Sequence, residues 1–566
     1  MNLLPMPYKL EIRDGFLKSK KVNIINKCCD YRIEKALKSF DCDTDDVQMT
    51  VKCSELNSES YMLDITESNI TINGDGLAGV FYGIQTLRQI FECDNVPCLH
   101  IEDKPSMEYR GVYHDVTRGK IPTVKTLKHF IDSLAYYKIN SLQIYVEHTF
   151  PFKELGDRIE TTGYLSPEEI KELDDYCYEN FIEFIPSIPT FGHMYELLHR
   201  DEFKNLRAFD KEEEDRFLWW QRMYHHTIDP ANEKSIEVIK SLIDQYIPLF
   251  RTDKFNICCD ETFDLENGKH KGENTGKLYV DFVKQIISYL ESKGKKVMMW
   301  GDILLKHSDL ICELPKGIEF LNWCYDSKPD EDTFRVFSKT DERLIVCPGT
   351  GTWSRLVEHV SEADVNICKM LDLGYKYNAV GMLNTNWGDY GNPCSLELAM
   401  HSIILGASKA WNIKTIPDGD FNNSINILEY KNANAAEYLY RLDTAHDKMK
   451  WLRLAHYYSN LMHSDKINVS FPEKEQIEET VALCKTLIDE LSEQKWGRDN
   501  YREEMILASE GVIVMAELFA KLAGYDIKRI SDTSLWLNKY HQSWLESNKE
   551  SELCEIEKMF LSLENV

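Results

Sequence analysis

The chain contains 566 residues, which is too many for one hydrophobic core and predicts two or three domains. It carries 94 acidic and 66 basic residues, a formal net charge of −28. An acidic surface repels phosphate backbones and anionic membranes, so we expect no nucleic acid and no membrane among its partners. A strongly acidic polysaccharide is a poor substrate for the same reason.

The opening segment, MNLLPMPYKLEIRDG, lacks the basic start and the long apolar stretch of a secretory signal. The sequence has no run of about 18 apolar residues that would span a bilayer. Its 16 cysteines are scattered and form no C-x-x-C pair, which argues against a zinc ribbon or a thioredoxin-type site. These features predict a reduced, cytoplasmic protein.

Residues 1–105 predict a small α+β domain. The segments YMLDITES and NITING alternate apolar and polar residues around turn signals, as paired antiparallel strands do. The segment GLAGVFYGIQTLRQIFE follows them and has apolar residues at helical spacing. It therefore predicts a helix that covers the sheet.

Residues 106–415 repeat the order strand, loop, helix. The predicted strands are GVYHDV, SLQIYVE, FIEFIPSI, KFNICC, KVMMW, IEFLNW, RLIVCP and AVGMLNTNW. One intervening helix opens with a capping box made by Ser166, Pro167 and Glu169. Apolar strands that alternate with helices indicate a buried parallel sheet, and eight such units predict a closed (β/α)8 TIM barrel. An open doubly wound sheet is the alternative, although no glycine-rich phosphate loop supports it.

Residues 416–566 contain amphipathic patterns and few strand signals, so they predict an α-helical domain. The sequence does not define what this domain does. An interface within a homodimer is one alternative that it leaves open.

Polar and aromatic residues follow the predicted barrel strands at the face that barrels use for function. From the second strand to the eighth they are Glu147, His193, Asp260 with Glu261, Trp300 with Asp302, Trp323, Trp353, and Trp387 with Asp389. Arg110 is the exception, because it precedes the first strand. Each residue alone has an ordinary explanation: an acidic pair is usually solvated, a lone histidine is usually structural, and a tryptophan usually belongs to the core. Their convergence at one rim favours a binding site.

Glycoside cleavage is the chemistry that best uses this set. Aromatic side chains offer flat apolar walls to a sugar ring, and charged groups orient its hydroxyls. Cleavage needs an acid at the leaving oxygen and a negative group near the oxocarbenium-like centre. Two adjacent carboxyls fill both roles when their surroundings push their pKa values apart. Asp260 and Glu261 are therefore the candidate catalytic pair.

Several segments occur in an order that is itself informative. They are GLAGVFYGIQTLRQI, YRGVYHDVTRGKIPT, IPTFGH, the Asp-Glu pair, WGD, the tryptophan of the sixth strand and NWGDYG. Over roughly residues 60–410 this order resembles the β-N-acetylhexosaminidases of glycoside hydrolase family 20. The helical tail is similar to the smaller bacterial exo-β-N-acetylglucosaminidases of that family that lack a signal.

The resemblance implies a retaining exo-enzyme that releases terminal β-linked GlcNAc from oligosaccharides or aminosugar glycosides, with GalNAc left open as a second substrate. Asp260 would polarise the 2-acetamido group, whose carbonyl oxygen attacks the anomeric carbon. Glu261 would act as acid and then as base. The resemblance gives the sugar-binding role to Arg110, Glu147, His193, Trp300, Trp323, Trp353, Trp387 and Asp389. It requires no metal and no organic cofactor.

The chain departs from the family pattern at three positions. Cys258-Cys259 stands where Gly-Gly usually precedes the acidic pair, and a vicinal thiol pair also raises a metal or redox interpretation. Glu147 stands where larger members have an aspartate. The tyrosine that commonly binds the acetamido carbonyl has no match, and the segment CPGTGTW offers Trp353 instead.

Two other functions remain open at this stage. One is a metal-dependent hydrolase on the same barrel, with His193, Glu147 and Asp302 as ligands. The other is a catalytically impaired sugar-binding protein that keeps the tryptophans on the hydrolase scaffold. Activity that is insensitive to chelators would exclude the first, and turnover would exclude the second.

Overall fold

The computed structural model describes residues 1–566 apart from 43–45, 57, 159–162, 210–218, 220, 221, 223–225 and 464–468. Among the described residues, no helix has both the length and the apolar character that a membrane crossing requires.

The described residues of the N-terminal domain form a six-stranded sheet and two helices. The strands are β1 (Lys9–Phe16), β2 (Asn23–Asn26), β3 (Gln48–Cys53), β4 (Tyr61–Ile65), β5 (Asn69–Gly74) and β6 (Pro97–Asp103), in the order β1-β6-β4-β5-β3-β2. The helices are α1 (Tyr31–Leu37) and α2 (Leu77–Ile90). Strands β4 and β5 pair antiparallel with Leu63 opposite Ile72, which confirms the predicted antiparallel pairing. Helix α2 buries Val80 and Ile84, as its spacing predicts.

The middle of the chain forms a closed barrel of eight parallel strands. They are β7 (Tyr109–Asp115), β8 (Ser141–Tyr145), β9 (Glu183–Ser187), β10 (Lys254–Asn256), β11 (Lys296–Trp300), β12 (Glu319–Trp323), β13 (Arg343–Cys347) and β14 (Gly381–Asn386). Strand β14 pairs with β7 over six residue pairs, from Gly381↔Tyr109 to Asn386↔His114, and this pairing closes the barrel. The predicted TIM barrel is confirmed, and the open doubly wound sheet is excluded.

Ten helices of the described chain accompany the barrel strands. They are α3 (Val124–Tyr136), α4 (Pro167–Glu179), α5 (Tyr195–Leu198), α6 (Glu233–Tyr246), α7 (Phe263–Asn267), α8 (Thr275–Ser292), α9 (Asp302–Lys306), α10 (Glu331–Ser338), α11 (Val360–Lys376) and α12 (Met400–Trp411). The predicted capping box of Ser166 and Glu169 is present at α4, with Pro167 at its first turn. The helices cover the outer face of the sheet, and the barrel encloses its inner face. Both faces of the parallel sheet are therefore buried.

The interior of the barrel becomes aromatic towards the carboxyl ends of its strands. Tyr113, Tyr145, Trp300 and Trp387 contact one another there, with ring centroids 5.0–6.1 Å apart. This aromatic layer fills the interior of the barrel just below the carboxyl ends of the strands.

The C-terminal part is helical, which confirms the prediction for this region. Its helices are α13 (Gly419–Ile425), α14 (Ala435–Lys448), α15 (Trp451–Met462), α16 (Lys474–Ser492), α17 (Asp499–Ala523), α18 (Thr533–Ser547) and α19 (Leu553–Glu564), with a π-helical turn at Asn426–Tyr430. Helix α17 buries an almost unbroken run from Leu507 to Ala520, which is typical of the central helix of a bundle. The exact domain limits at 105 and 415 stay predictions.

Candidate active site

A cavity of about 210 Å³ opens at the carboxyl ends of the barrel strands. It is lined by Arg118, His193, Asp260, Glu261, Trp300, Trp323, Tyr325, Trp353, Trp387 and Asp389. Eight of the ten predicted site residues lie here. Arg110 and Glu147 do not, and Arg118 and Tyr325 are present without having been predicted. Larger clefts of about 520 and 580 Å³ lie away from the strand ends, at the domain junction and on the N-terminal sheet.

The backbone turns sharply between β10 and the candidate catalytic pair. Cys258 (φ 56°), Cys259 (φ 67°) and Glu261 (φ 48°) all adopt the left-handed conformation. A non-glycine residue there costs about 1–2 kcal/mol. Glycine takes this conformation freely, which is the physical reason for the Gly-Gly pattern that the resemblance places here. Cysteine occupies the same backbone geometry at a cost.

Neighbouring residues of the barrel hold this strained turn in place. Its hydrogen bonds are Cys258 N–H to Asn256 Oδ1 (2.9 Å), Trp300 N–H to Cys258 O (3.0 Å), Tyr279 O–H to Cys259 O (2.8 Å) and Glu261 N–H to Asp302 Oδ2 (3.1 Å). The turn directs both carboxyls into the cavity.

The two cysteine thiols are buried in the barrel beside hydroxyl groups. The Sγ of Cys258 lies 3.4 Å from Ser187 Oγ, and the Sγ of Cys259 lies 3.2 Å from Thr190 Oγ1. Burial raises the pKa of Cys258 to about 12 and that of Cys259 well above its usual value. Both thiols are therefore neutral at physiological pH and are poor nucleophiles and poor metal ligands.

His193 lies between the two carboxyls. Its Nε2 is 3.4 Å from Asp260 Oδ2 and 3.4 Å from Glu261 Oε2. Burial works against protonation of the ring, but the two carboxylates outweigh it and raise the pKa of His193 to about 10. The ring is thus an imidazolium, and its 3.4 Å approach to Arg118 Nη2 is a contact between two cations. Behind it, the ring of His226 is stacked at 4.7 Å, and its Nδ1 accepts the backbone N–H of His193.

Among the described residues, only His193, Asp260 and Glu261 bring three candidate metal ligands within 4.8 Å of one another. The predicted set of His193, Glu147 and Asp302 does not converge in this way. The histidine of the observed cluster would have to lose its proton before it could bind a metal ion.

Asp302 lies directly behind the catalytic pair, at the start of α9. Burial raises its pKa to about 7, and the negative charges of Asp260 and Glu261 act in the same direction. Its Oδ2 accepts the backbone N–H of Glu261. Asp302 therefore supports the strained residue and changes its own charge near neutral pH.

The arginine of the cavity is Arg118, in the loop after β7. Its Nη1 lies 2.8 Å from Asp389 Oδ1 and 3.3 Å from Asp115 Oδ2, and its guanidinium lies about 5 Å from the rings of Tyr145 and Trp387. Although burial opposes it, the surrounding carboxylates raise the pKa of Arg118, so it is a permanent cation that faces the cavity.

The prediction that Arg110 binds the sugar is wrong. Arg110 is the second residue of β7 and lies at the opposite, amino end of the barrel, where it is fully buried. Its Nη1 pairs with Glu59 at 2.7 Å, and its Nε donates to Lys138 O at 2.9 Å. Arg110 thus connects the barrel to the N-terminal domain. The segment YRGVYHDVTRGK has an arginine at each end of a seven-residue strand, and only the one beyond its carboxyl end reaches the cavity.

Glu147 lies behind Arg118 and not in the cavity wall, which corrects its predicted place. Its Oε1 accepts the hydroxyl of Tyr145 (2.8 Å) and lies 3.5 Å from Arg118 Nη2. With His193 it lines a much smaller adjoining cavity. Its effect on a bound ligand would therefore pass through Arg118.

Tyr325 is the second cavity residue, after Arg118, that the sequence did not reveal. It stacks on Trp323 at 5.2 Å, lies 5.1 Å from Trp353, and its hydroxyl accepts the indole N–H of Trp387 at 2.6 Å. The available signal was its position two residues beyond the end of β12, in NWCYD. Trp353 is therefore a wall beside a tyrosine and not a replacement for it.

The fold and the cavity together define a class of protein. A TIM barrel whose strand ends present adjacent carboxyls between tryptophan walls has the architecture of a glycoside hydrolase. The family model for the catalytic domain of glycosyl hydrolase family 20 matches residues 107–408, and the model for domain 2 of the same family matches residues 1–104. The chain belongs to glycoside hydrolase family 20.

Known relatives match parts of the chain. A β-hexosaminidase of Porphyromonas gingivalis is 27% identical over 289 residues, which are 44% of this chain and 36% of that protein. A β-hexosaminidase of Akkermansia muciniphila is 31% identical over 24% of this chain and 32% of its own length. Human hexosaminidase D is 26% identical over 39% of this chain and 46% of its own length. The matched segments thus span less than half of these relatives.

Solved structures share the fold over a larger part of the chain. A chitobiase of Flavobacterium johnsoniae superposes with a TM-score of 0.61 at 18% identity and covers 99% of both chains. A β-N-acetylhexosaminidase of Bacteroides fragilis gives a TM-score of 0.59 at 19% identity, over 75% of this chain and 94% of that one. At such identities the likeness concerns the fold alone.

Proposed function

We propose that the protein is an exo-acting β-N-acetylhexosaminidase that removes terminal, non-reducing β-linked GlcNAc from short oligosaccharides. One observation carries the proposal: Asp260 and Glu261 both line a cavity that is walled by four tryptophans. At about 210 Å³ this cavity is smaller than the sites of drug-sized ligands and suits a single sugar unit. The family's relatives include proteins named β-hexosaminidase, which agrees with this substrate class.

The adjacent carboxyls suit a substrate-assisted route. Asp260 would hold the N–H of the 2-acetamido group while the carbonyl oxygen of that group attacks the anomeric carbon. Glu261 would give its proton to the leaving oxygen as the glycosidic bond breaks. It would then take a proton from the water that opens the cyclic intermediate. Two displacements at one carbon retain the β configuration. The His193 imidazolium, whose Nε2 lies 3.4 Å from both carboxyls, would stabilise the negative charge of Asp260 and the charge that Glu261 acquires when it gives up its proton.

The other residues of the cavity would bind the rest of the sugar. Arg118 and Asp389 pair at 2.8 Å. The guanidinium of Arg118 would donate hydrogen bonds to the outer hydroxyls of the sugar, and the carboxylate of Asp389 would accept hydrogen bonds from them. Trp300, Trp323 and Trp387 would enclose the ring and the acetamido methyl. The hydroxyl of Tyr325 would take the place that the resemblance gives to a tyrosine at the acetamido carbonyl.

A panel of aryl β-glycosides tests this proposal. We expect turnover of the GlcNAc glycoside, weaker or equal turnover of the GalNAc glycoside, and none of the glucoside, because glucose has no acetamido group to attack. A thiazoline that mimics the cyclic intermediate should inhibit competitively. Comparable turnover of the glucoside, or no inhibition by the thiazoline, would contradict the substrate-assisted route.

A metal-dependent hydrolase is the second candidate, because His193, Asp260 and Glu261 form a cluster of metal-ligand type. Dialysis against EDTA and assay with added Zn²⁺ or Mn²⁺ separates the two candidates. Our proposal expects unchanged activity after EDTA. The impaired sugar-binding alternative instead expects binding of GlcNAc by calorimetry without any turnover.

A further inference from the structure

The C-terminal helical domain contacts three loops at the rim of the barrel. We call residues 116–123, 348–359 and 387–396 the rim loops. They carry Arg118, Trp353 and Asp389 respectively, and we call these three residues the sugar-binding wall of the cavity. We propose that the C-terminal domain positions the sugar-binding wall of the active site by holding these three loops. This inference rests on the proposed function, because it assigns a role to the wall that would bind the sugar.

The first rim loop pairs with the C-terminal domain through its backbone. Lys549 N–H donates to Ile121 O at 2.8 Å, Thr123 N–H donates to Ser547 O at 3.0 Å, and Pro122 forms an antiparallel bridge with Asn548. These bonds begin three residues after Arg118. The path of the loop is therefore fixed from the connection between α18 and α19.

The second rim loop is fixed by helix α14. Arg355 Nη2 donates to Asp443 Oδ1 at 2.6 Å, and Leu356 N–H donates to His446 Nε2 at 3.1 Å. Burial and the charge of Arg355 lower the pKa of His446 well below its usual value, so its ring is neutral and can accept this bond. Trp353 lies two residues before these anchors.

The third rim loop contains two non-glycine residues in the left-handed conformation, Tyr390 (φ 61°) and Asn392 (φ 47°). Such a backbone persists when its surroundings hold it. Trp451 of α15 donates its indole N–H to Tyr390 O at 3.0 Å, and Tyr540 of α18 donates its hydroxyl to Pro393 O at 3.0 Å. Asp389 lies beside these anchors.

The rim loops are also connected to one another. Lys120 of the first loop is buried and donates through Nζ to Pro393 O (3.1 Å) and Cys394 O (2.7 Å) of the third. Its ammonium group lies 5.6 Å from the ring of Tyr540 and 5.0 Å from that of Trp544. Ser354 N–H of the second loop donates to Asp389 O at 3.1 Å. The three rim loops that carry the sugar-binding wall are therefore connected both to one another and to the C-terminal domain.

The catalytic pair has different support. The turn that carries Asp260 and Glu261 is hydrogen-bonded by Asn256, Tyr279, Trp300 and Asp302, which all belong to the barrel. Loosening the C-terminal contacts should therefore weaken sugar binding and leave the proton transfers intact. That distinction makes the inference measurable, because uniform loss of binding raises KM while kcat stays near its original value.

The first test uses two matched tyrosine variants. Tyr540→Phe removes the hydrogen bond to Pro393 O, while Tyr501→Phe removes an equally buried hydroxyl that donates to Glu429 and contacts no rim loop. We expect Tyr540→Phe to raise KM for an aryl β-GlcNAc glycoside about threefold to tenfold, the range for one hydrogen bond, with kcat within about twofold. Tyr501→Phe should leave both constants unchanged.

The second test uses Lys120. Lys120→Met should raise KM more than tenfold, because it removes the connection between two rim loops, and Lys120→Arg should restore part of the loss because it keeps the cation and its donors. The dissociation constant of GlcNAc, measured by calorimetry, should follow KM in each variant. A role in folding alone would lower the active fraction, and hence kcat, without changing KM or this dissociation constant.

The outcomes separate this inference from the proposed function. If the wild type hydrolyses the glycoside but Tyr540→Phe and Lys120→Met keep its KM, the positioning role is overturned. If the wild type binds GlcNAc without turnover, the proposed hydrolysis fails while the calorimetric comparison still decides the positioning role. Absence of both turnover and binding in the wild type overturns both.

Discussion

The catalytic pair and the sugar-binding wall of the cavity are positioned by different parts of the chain. Asp260 and Glu261 are neighbours in sequence, and a strained turn at the end of a single strand directs both. Arg118 and Asp389 are 271 positions apart, and they meet at 2.8 Å because the barrel closes and the C-terminal helices hold their loops. Local backbone geometry thus places the proposed chemistry, whereas long-range packing places the proposed sugar contacts. Substitutions of the catalytic pair should therefore lower mainly kcat, whereas substitutions of the sugar-binding wall should raise mainly KM.

The largest effect is expected at the proposed acid. Glu261→Gln should lower kcat on an unactivated oligosaccharide about 10³-fold, within the range of general acid catalysis, because no proton reaches the leaving oxygen. An aryl glycoside with a good leaving group should lose far less. Steady-state assays on both substrates measure the difference. Equal losses would exclude Glu261 as the acid.

The next largest effect is expected at the partner carboxyl. Asp260→Asn should lower kcat about 10²-fold to 10³-fold with little change in KM, because its interaction with the acetamido group strengthens as charge develops. The comparison is made with the GlcNAc glycoside under initial-rate conditions. A variant that altered only KM would mean that Asp260 binds the sugar without polarising it.

The two arginines allow a direct comparison between the cavity and the opposite end of the barrel. Arg118→Lys keeps the charge but loses the donor fork, so KM should rise about tenfold with a smaller change in kcat. Arg110→Lys should leave KM unchanged and lower the free energy of unfolding by about 1–3 kcal/mol, because buried hydrogen bonds to Glu59 and Lys138 O are lost. Kinetics and urea unfolding of both variants measure these effects. An increase in KM for Arg110→Lys would contradict this assignment and would indicate that Arg110 contributes to substrate binding.

A smaller effect should appear in the pH dependence. Asp302 ionises at a pKa of about 7, and above that pH its negative charge beside the catalytic pair opposes the loss of the acid's proton. In Asp302→Asn the alkaline limb of kcat/KM should therefore lie about one pH unit lower. An unshifted limb would show that the charge of Asp302 does not reach the acid.

The same group predicts a pH-dependent stability. A carboxyl whose pKa is raised from 3.8 to about 7 binds more protons in the folded state, so its contribution to stability falls as the pH rises from about 4 to about 7. Asp302→Asn removes this loss. The Tm of the variant relative to wild type should thus be more favourable at pH 8 than at pH 4.

The smallest effect is expected at the strained turn. Cys259→Ala loses packing and keeps a side chain at φ 67°, whereas Cys259→Gly loses packing and relieves the strain. The glycine variant should therefore be at least as stable as the alanine variant, which reverses the usual order of these two residues, and both should keep kcat within about threefold. Thermal unfolding decides between them. A clearly less stable glycine variant would mean that the turn is not strained.

Much of this architecture follows from local patterns in the sequence. The alternation of apolar strands with helices predicts the barrel because both signals depend on spacings of a few residues, and the capping box at Ser166 is likewise local. The candidate pair Asp260-Glu261 is predictable because its two residues are adjacent and end a predicted strand. The tryptophans of the cavity are predictable because a TIM barrel brings the carboxyl end of every strand to one face.

Other features depend on contacts that no local pattern reports. Arg110 and Arg118 both flank β7, and only the direction of the strand in the closed barrel separates the buried arginine from the one in the cavity. Tyr325 and Glu147 differ in the same way, one entering the cavity and the other lying behind Arg118. The sequence alone determined which elements form and in which order, because helix and strand periodicity are short-range. Only the tertiary structure decided which side chains share the cavity and that the C-terminal helices contact its rim, because those contacts join residues that are far apart in the sequence.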